Sequence, residues 1–141
     1  MAIIYPYSSI KNESGRSHHG PYVPIYINHP DGKLLVFLAL IDSGADSCVM
    51  SKSTAEFLKL KLGKTDKTGG IGGDTKGRWS NFSFKIIGEH EQHSCNDVPV
   101  FVLEQDLDVA VLLGRNPFFH DFDVSFINNS KIKLIRKSRS Y

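Results

Sequence analysis

The sequence predicts an all-β domain, mainly strands with one or two short helices, and three observations predict it. Apolar runs recur along the chain, each bounded by turn-forming residues. Several of them alternate apolar with polar side chains, the two-residue period of a half-buried strand. Only two stretches carry helix-start signals. The 141 residues fit one domain, enough for a real core but short for two lobes enclosing a cleft.

Each element can be justified in order. SSIKNESGRSHHG, residues 8–20, is polar and without periodicity, so residues 1–20 read as an irregular N-terminal segment. YVPIYIN, HPDG and KLLVFLALI then read as strand, turn and strand, the second apolar enough to lie in the core and running straight into Asp42. SKSTAEFLKLKLG places Glu56 three residues after Ser53, a capping-box spacing, with Gly63 as a helix stop. TGGIGGDTKG follows, flanked by strand-like segments that suggest a hairpin.

WSNFSFKIIG sets Trp79, Phe82, Phe84 and Ile86 against polar neighbours, a spacing that fits core positions, and DVPVFVLE and VAVLLG supply two further apolar runs. In GRNPFFHDF, Asn116 suits an N-cap and Pro117 the first helical position, which predicts a second short helix. DVSFINNSKIKLI closes as strand, Asn-Asn turn and strand, with Lys131 and Lys133 alternating against Ile132 and Leu134. Residues 137–141 form a basic tail.

Composition narrows the function classes. With 17 basic and 15 acidic residues the net charge is +2, too mild to make nucleic acid or an anionic membrane the main partner. Two cysteines form no disulfide framework, and the N-terminus has neither a basic region nor an apolar signal core. These features imply a cytoplasmic or other reducing, soluble compartment and no membrane partner.

Chemistry concentrates at IDSGAD. A carboxylate leaving an apolar strand is costly unless it is hydrogen-bonded, metal-bound or facing solvent, so Asp42 needs a reason to be there. Ser43 can add a supporting hydroxyl, and Gly44 lets backbone N–H groups approach the carboxylate. The glycine cluster fails as a phosphate loop, because Lys76 is followed by Gly77 and a strand-like run rather than Ser or Thr opening a helix.

These segments together resemble the retropepsins, the retroviral-type aspartic proteases. The apolar strand ending in IDSGAD resembles their catalytic loop, GGIGG their flap tip, and LLGRN the segment opening their C-terminal helix, in the same order along residues 21–136. Ser43 stands where many members carry threonine, and the helix around SKSTAEFLKL reads longer than in compact viral enzymes. The resemblance implies a closed, barrel-like aspartic protease fold, one lobe per chain, in a homodimer whose C-terminal strand pairs across the interface.

The same resemblance assigns residues. Asp42, Ser43 and Gly44 would be catalytic. Ala45, Asp46, Gly70, Ile71 and Gly72 would bind an extended polypeptide, and Arg115 and Asn116 would support the loop, Arg115 through a buried pair with Asp46. No metal or cofactor is implied. The implied activity is peptide-bond hydrolysis by a water activated between two Asp42 carboxylates under a glycine-rich flap. A rival from another class is a dimerisation or peptide-binding module with little or no proteolysis. His90, His93 and Cys95 lack the second ligand pair that a zinc site needs, so a polar hairpin loop is expected there. Cys48 sits among apolar neighbours and reads as a buried side chain rather than a nucleophile.

Overall fold

The structure, a computed structural model, describes residues 2–12, 14–68 and 75–137. Twelve strands and two short helices are formed among them. The expected hairpin of β4 (Tyr22–Asn28) and β5 (Leu34–Ile41) is present, paired from Tyr22↔Leu40 to Asn28↔Leu34. Its turn is held by the Asp31 carboxylate, which accepts from Lys33 N at 2.9 Å. Not all of β5 is core: Ala39 and Ile41 are buried, whereas Leu34, Val36 and Leu38 face outward, as the pleat of a strand covered on one side requires.

Six strands close a barrel in the order β4, β5, β10 (Val111–Leu113), β6 (Cys48–Met50), β9 (Gln92–Leu103) and β8 (Thr75–Ile87). The ring closes where β8 returns to β4 at Tyr26↔Lys85. β10 runs parallel to β5 and antiparallel to β6, so it is wedged between the two strands that flank Asp42 in sequence. Inside lie Val23, Ile25, Ile41, Met50, Phe82, Phe84, Ile86, Val100, Val111 and Leu113, all buried. β7 (Thr65–Thr68) adds to the outer side of β8, paired from Thr65↔Arg78 to Thr68↔Thr75.

The first helix departs from expectation in its caps. α1 (Lys52–Phe57) is the short helix expected here, but it takes Ser51 as N-cap and Leu58 as C-cap, not a Ser53–Glu56 box and Gly63. The Asp106 carboxylate accepts from Ser53 N at 2.8 Å, a cap supplied by a distant loop, and this bond draws the Asp106 carboxyl below its ordinary range. The buried Ser51 hydroxyl donates to Val109 O at 2.9 Å and accepts from Leu107 N at 2.9 Å, tying the same loop down. The chain leaves the helix through Lys59 at φ 55, the left-handed residue expected of a glycine.

Three further expectations are corrected. Residues 1–20 are not irregular throughout: they contain β1 (Ile3–Pro6), β2 (Ser8–Lys11) and β3 (Ser17–Gly20). The segment at His93 and Cys95 is not a loop, because β9 begins at Gln92 and the turn is confined to the residues just before it, with Gly88 N donating to Glu91 O at 2.8 Å. Pro117, not Asn116, stands at the N-cap of α2 (Phe118–Asp121).

The C-terminal hairpin of β11 (Phe122–Ile127) and β12 (Lys131–Arg136) turns through Asn128 and Asn129 at φ 48 and 51, a conformation that asparagine tolerates. β12 lies between β1 and β11 of its own chain, paired with β11 over Lys131–Arg136 and with β1 over Lys131–Leu134, so most of both its edges is filled. Its inner residues, Ile132 and Leu134, join the core beside Ile3, Phe118 and Phe122. Among the described residues no helix is long and apolar enough to cross a membrane.

Two outcomes follow from this architecture. Asp106→Ala lowers the melting temperature more than Glu56→Ala, the reverse of what a capping box would give, and thermal denaturation of the two variants decides it. Deleting residues 131–141 strips two fully buried side chains from the core, each worth about 2–5 kcal/mol. Circular dichroism is expected to show loss of the fold, rather than a folded monomer.

Candidate active site

The site is made by two loops that leave neighbouring parallel strands. β5 ends at Ile41 and β10 at Leu113, and the ladder continues one step, with Asp42 N donating to Leu113 O at 3.0 Å. Beyond that point the loops lock together. Arg115 N donates to Ala45 O at 2.8 Å, Asn116 N donates to Asp46 O at 2.9 Å, and Ser47 bridges Asn116.

Gly114 makes this crossing sterically feasible. A β-carbon there would lie 2.2 Å from Ser47 O and 2.8 Å from Ala45 O, so the carbonyls of one loop occupy the space that any side chain would fill. The glycine of LLGRN is therefore a backbone-to-backbone contact point.

Asp42 sits half-buried at the top of this lock, while Ser43 and Gly44 are exposed. One carboxylate oxygen accepts from Gly44 N at 2.9 Å, and a β-carbon on Gly44 would stand 3.2 Å from that oxygen. The bond orients the carboxylate through its own loop. Among the described residues no lysine, arginine or histidine forms an ion pair with Asp42.

Arg115 Nη2 donates to Asp46 Oδ1, so the expected pair is formed, but it is not buried: the two side chains are 53% and 82% exposed. An exposed pair contributes little to stability on its own, and the loop's register rests on the backbone bonds above. Asn116 acts through its backbone, in its bond to Asp46 and its bridge to Ser47. Ala45 is half-buried and gives its carbonyl to Arg115. Gly70, Ile71 and Gly72 lie outside the described residues; the flanking strands β7 and β8 pair up to Thr68↔Thr75.

The other candidates are dispersed. His93 Nε2 lies 2.9 Å from Glu91 Oε2, His90 is exposed near Glu89, and Cys95 Sγ faces Arg136 Nη1 at 3.7 Å. Cys48 is fully buried and burial pushes its thiol up to about 11, which removes it as a nucleophile near neutral pH.

With this geometry in place, comparison with known proteins is decisive. The aspartyl protease family profile matches residues 23–116, from β4 to the Arg115–Asn116 crossing. The chain belongs to the aspartyl protease family. Among solved structures, the crystal structure of a retropepsin-like aspartic protease from Rickettsia conorii aligns with a TM-score of 0.60 at 20% identity, covering 94% of this chain and 98% of that one. The EIAV protease complexed with the inhibitor HBY-793 aligns with a TM-score of 0.47 at 21% identity over 72% of this chain and 86% of that one. No curated protein sequence matches. The alignment with the Rickettsia structure makes the fold retropepsin-like, mainly β with two short helices around a closed six-stranded barrel.

Sequence reasoning missed a cavity beside the loop. It measures about 690 Å³ and is lined by Gly44, Ala45, Asp46 and Ser47 on one side and by side chains including Val49, Trp79, Pro99 and Phe101 on the other. Trp79 shares its stretch of sequence with Phe82, Phe84 and Ile86, which are buried in the barrel. The missed signal was parity: Trp79 is three residues from Phe82, an odd step, and projects from the opposite face of β8. It meets Phe101 edge-on there, with ring centroids 5.2 Å apart.

Gly114→Ala forces two carbonyls apart, and overpacking of this kind costs about 1–3 kcal/mol. A urea titration is expected to show that loss, and amide exchange of Asp42 and Arg115 should accelerate because both donate within the crossing.

Proposed function

We propose that the protein is an aspartic endopeptidase that hydrolyses peptide bonds in extended polypeptides, working as a homodimer with one composite site. The observation that carries the reading is Asp42 itself: a carboxylate aimed by Gly44 N, without a cationic partner among the described residues, on a loop locked in place by Gly114. Such a group is poised to take a proton from water.

One carboxylate is not sufficient. Attack by an activated water needs a base for the water and an acid for the carbonyl oxygen or leaving amine. Asp46, the other acid of this loop, is engaged by Arg115. A second copy related by a two-fold axis supplies the missing group as its own Asp42, and brings two exposed Ser43 hydroxyls to the junction.

Two carboxylates held close share one proton and titrate as a pair. The ionised member takes a proton from water as the oxygen attacks, and the protonated member gives its proton to the carbonyl oxygen. The first carboxyl then gives the proton it took from water to the amide nitrogen, the second carboxylate takes a proton back from a hydroxyl of the tetrahedral intermediate, and the C–N bond breaks to release the acid and the amine with both groups in their starting states. Aspartic proteases are a standing example of this shared-proton arrangement.

The remaining roles extend this reading. Ala45 and Asp46 lie where an extended peptide would pass alongside the loop, and Arg115 and Asn116 hold that loop by the bonds described above. Gly70, Ile71 and Gly72, carried between β7 and β8, would form the flap over the peptide. With most of both edges of β12 occupied, association of two copies rests mainly on the active-site loops and on other surfaces of the chain.

The test is turnover of a peptide library by purified protein at mildly acidic pH. Wild type is expected to produce fragments, and Asp42→Asn to keep the fold while losing at least about 1000-fold in rate, since the amide can neither accept nor share the proton. Mixing the variant with wild type should depress activity below the proportion of wild type present, through inactive heterodimers. Peptide binding without fragments would favour the binding-module reading instead. Full specific activity from a sedimenting monomer would remove the shared site.

A further inference from the structure

We propose that the cavity beside the Asp42 loop is the pocket that selects the substrate: it takes one bulky apolar side chain of the peptide, aromatic or long aliphatic, with Trp79 as the specificity-determining wall. The inference rests on the protease reading for its place in catalysis, and on the cavity alone for its chemistry.

Position is the first argument. The rim on one side is the backbone of Gly44–Ser47, which directly follows Asp42, while Asp42 itself is not part of the lining. A peptide laid along this rim points alternate side chains to the same side. One that does not flank the cleaved bond directly would drop into the cavity.

Composition is the second. Val49 and Phe101 are directly opposed in the ladder between β6 and β9, and Phe101 is opposed in turn to Trp79 of β8, so three adjacent strands present one apolar surface. Pro99 and Pro117 extend it, and the polar side chains Asp46, Asn116 and His120 belong to the two loops and α2. The volume of about 690 Å³ falls in the range of a working ligand pocket, and a small side chain would leave its apolar walls wet.

Rigidity is the third. Trp79 Nε1 donates to Asp66 Oδ2 at 3.1 Å, which fixes the indole from β7. Phe101 is 1% exposed, and a β-carbon on Gly77 would collide with the Val102 carbonyl and lie 2.6 Å from the nearest atom of the Phe101 ring. Gly77 thus leaves room for that carbonyl and for the Phe101 ring beside the tryptophan. Walls held in this way lose little freedom when a side chain enters, which favours selectivity.

Trp79 is the chain's single tryptophan, so its fluorescence reports directly on the cavity. The experiment titrates full-length Asp42→Asn with tryptophan-free octapeptides that differ at one position, Phe or Ala, scanned along the peptide. At one position the Phe peptide is expected to bind at least about tenfold more tightly than its Ala counterpart and to shift the emission, in line with the discrimination apolar pockets achieve. In an otherwise wild-type background, Trp79→Ala should reduce the Phe-to-Ala ratio of kcat/KM about tenfold, and Trp79→Phe should keep most of it.

Tight binding with unchanged emission at every position overturns the proposal, as does a Phe-to-Ala ratio that Trp79→Ala leaves at its wild-type value. If wild type cleaves no peptide, the protease reading fails, and the fluorescence titration still decides the pocket. The titration also decides it if Trp79→Ala does not fold, because it retains the tryptophan.

Discussion

The structure depends on one backbone contact, Gly114 beneath the carbonyls of Ala45 and Ser47. β10 can be inserted between β5 and β6 only if the loop leaving β5 crosses the loop leaving β10 at van der Waals distance. That crossing satisfies the polar backbone of both loops in a region that would otherwise bury it unpaired. It also carries the ladder bond from Asp42 N to Leu113 O one residue past the end of the strand. The carboxylate is positioned by the fold's topology before any partner or peptide is present.

The same contact explains the division of labour between charge and backbone at the site. The Asp46–Arg115 pair is exposed, and screened pairs of that kind are close to neutral. The bonds from Arg115 N and Asn116 N set the loop, and the pairing of the Asp46 and Arg115 side chains adds little to it. Around this centre the barrel closes through Tyr26↔Lys85, and the terminal sheet of β1, β12 and β11 covers part of its core with Ile132 and Leu134.

What could be read from the sequence was what neighbouring residues determine. The β4–β5 hairpin, the Asn128–Asn129 turn and the IDSGAD exit depend on side chains close in sequence, and each emerged where expected. The misreadings have long-range causes. β1 is a strand because β12, at the other end of the chain, pairs with it. α1 has its N-cap at Ser51 rather than Ser53, with Asp106 of a distant loop accepting from Ser53 N in place of the local capping box. The cavity draws its lining from three separate strands, two loops and α2, so no single window of sequence contained it, although the odd step from Trp79 to Phe82 did mark which face the indole takes.

Rigidity beneath the site and selectivity beside it then have related causes, since glycine stands wherever another group must come close. Gly114 admits two carbonyls beside the Asp42 loop; Gly77 admits the Val102 carbonyl and the Phe101 ring that Trp79 meets edge-on. Neither glycine is used here for left-handed backbone freedom. Each is a space left for a neighbour, and filling either one moves a functional group without touching it. Asp66 joins the two regions further, because the strand that leads into residues 69–74 also holds the indole through its Nε1–H. One hydrogen bond therefore ties a wall of the cavity beside the Asp42 loop to the strand that leads into residues 69–74.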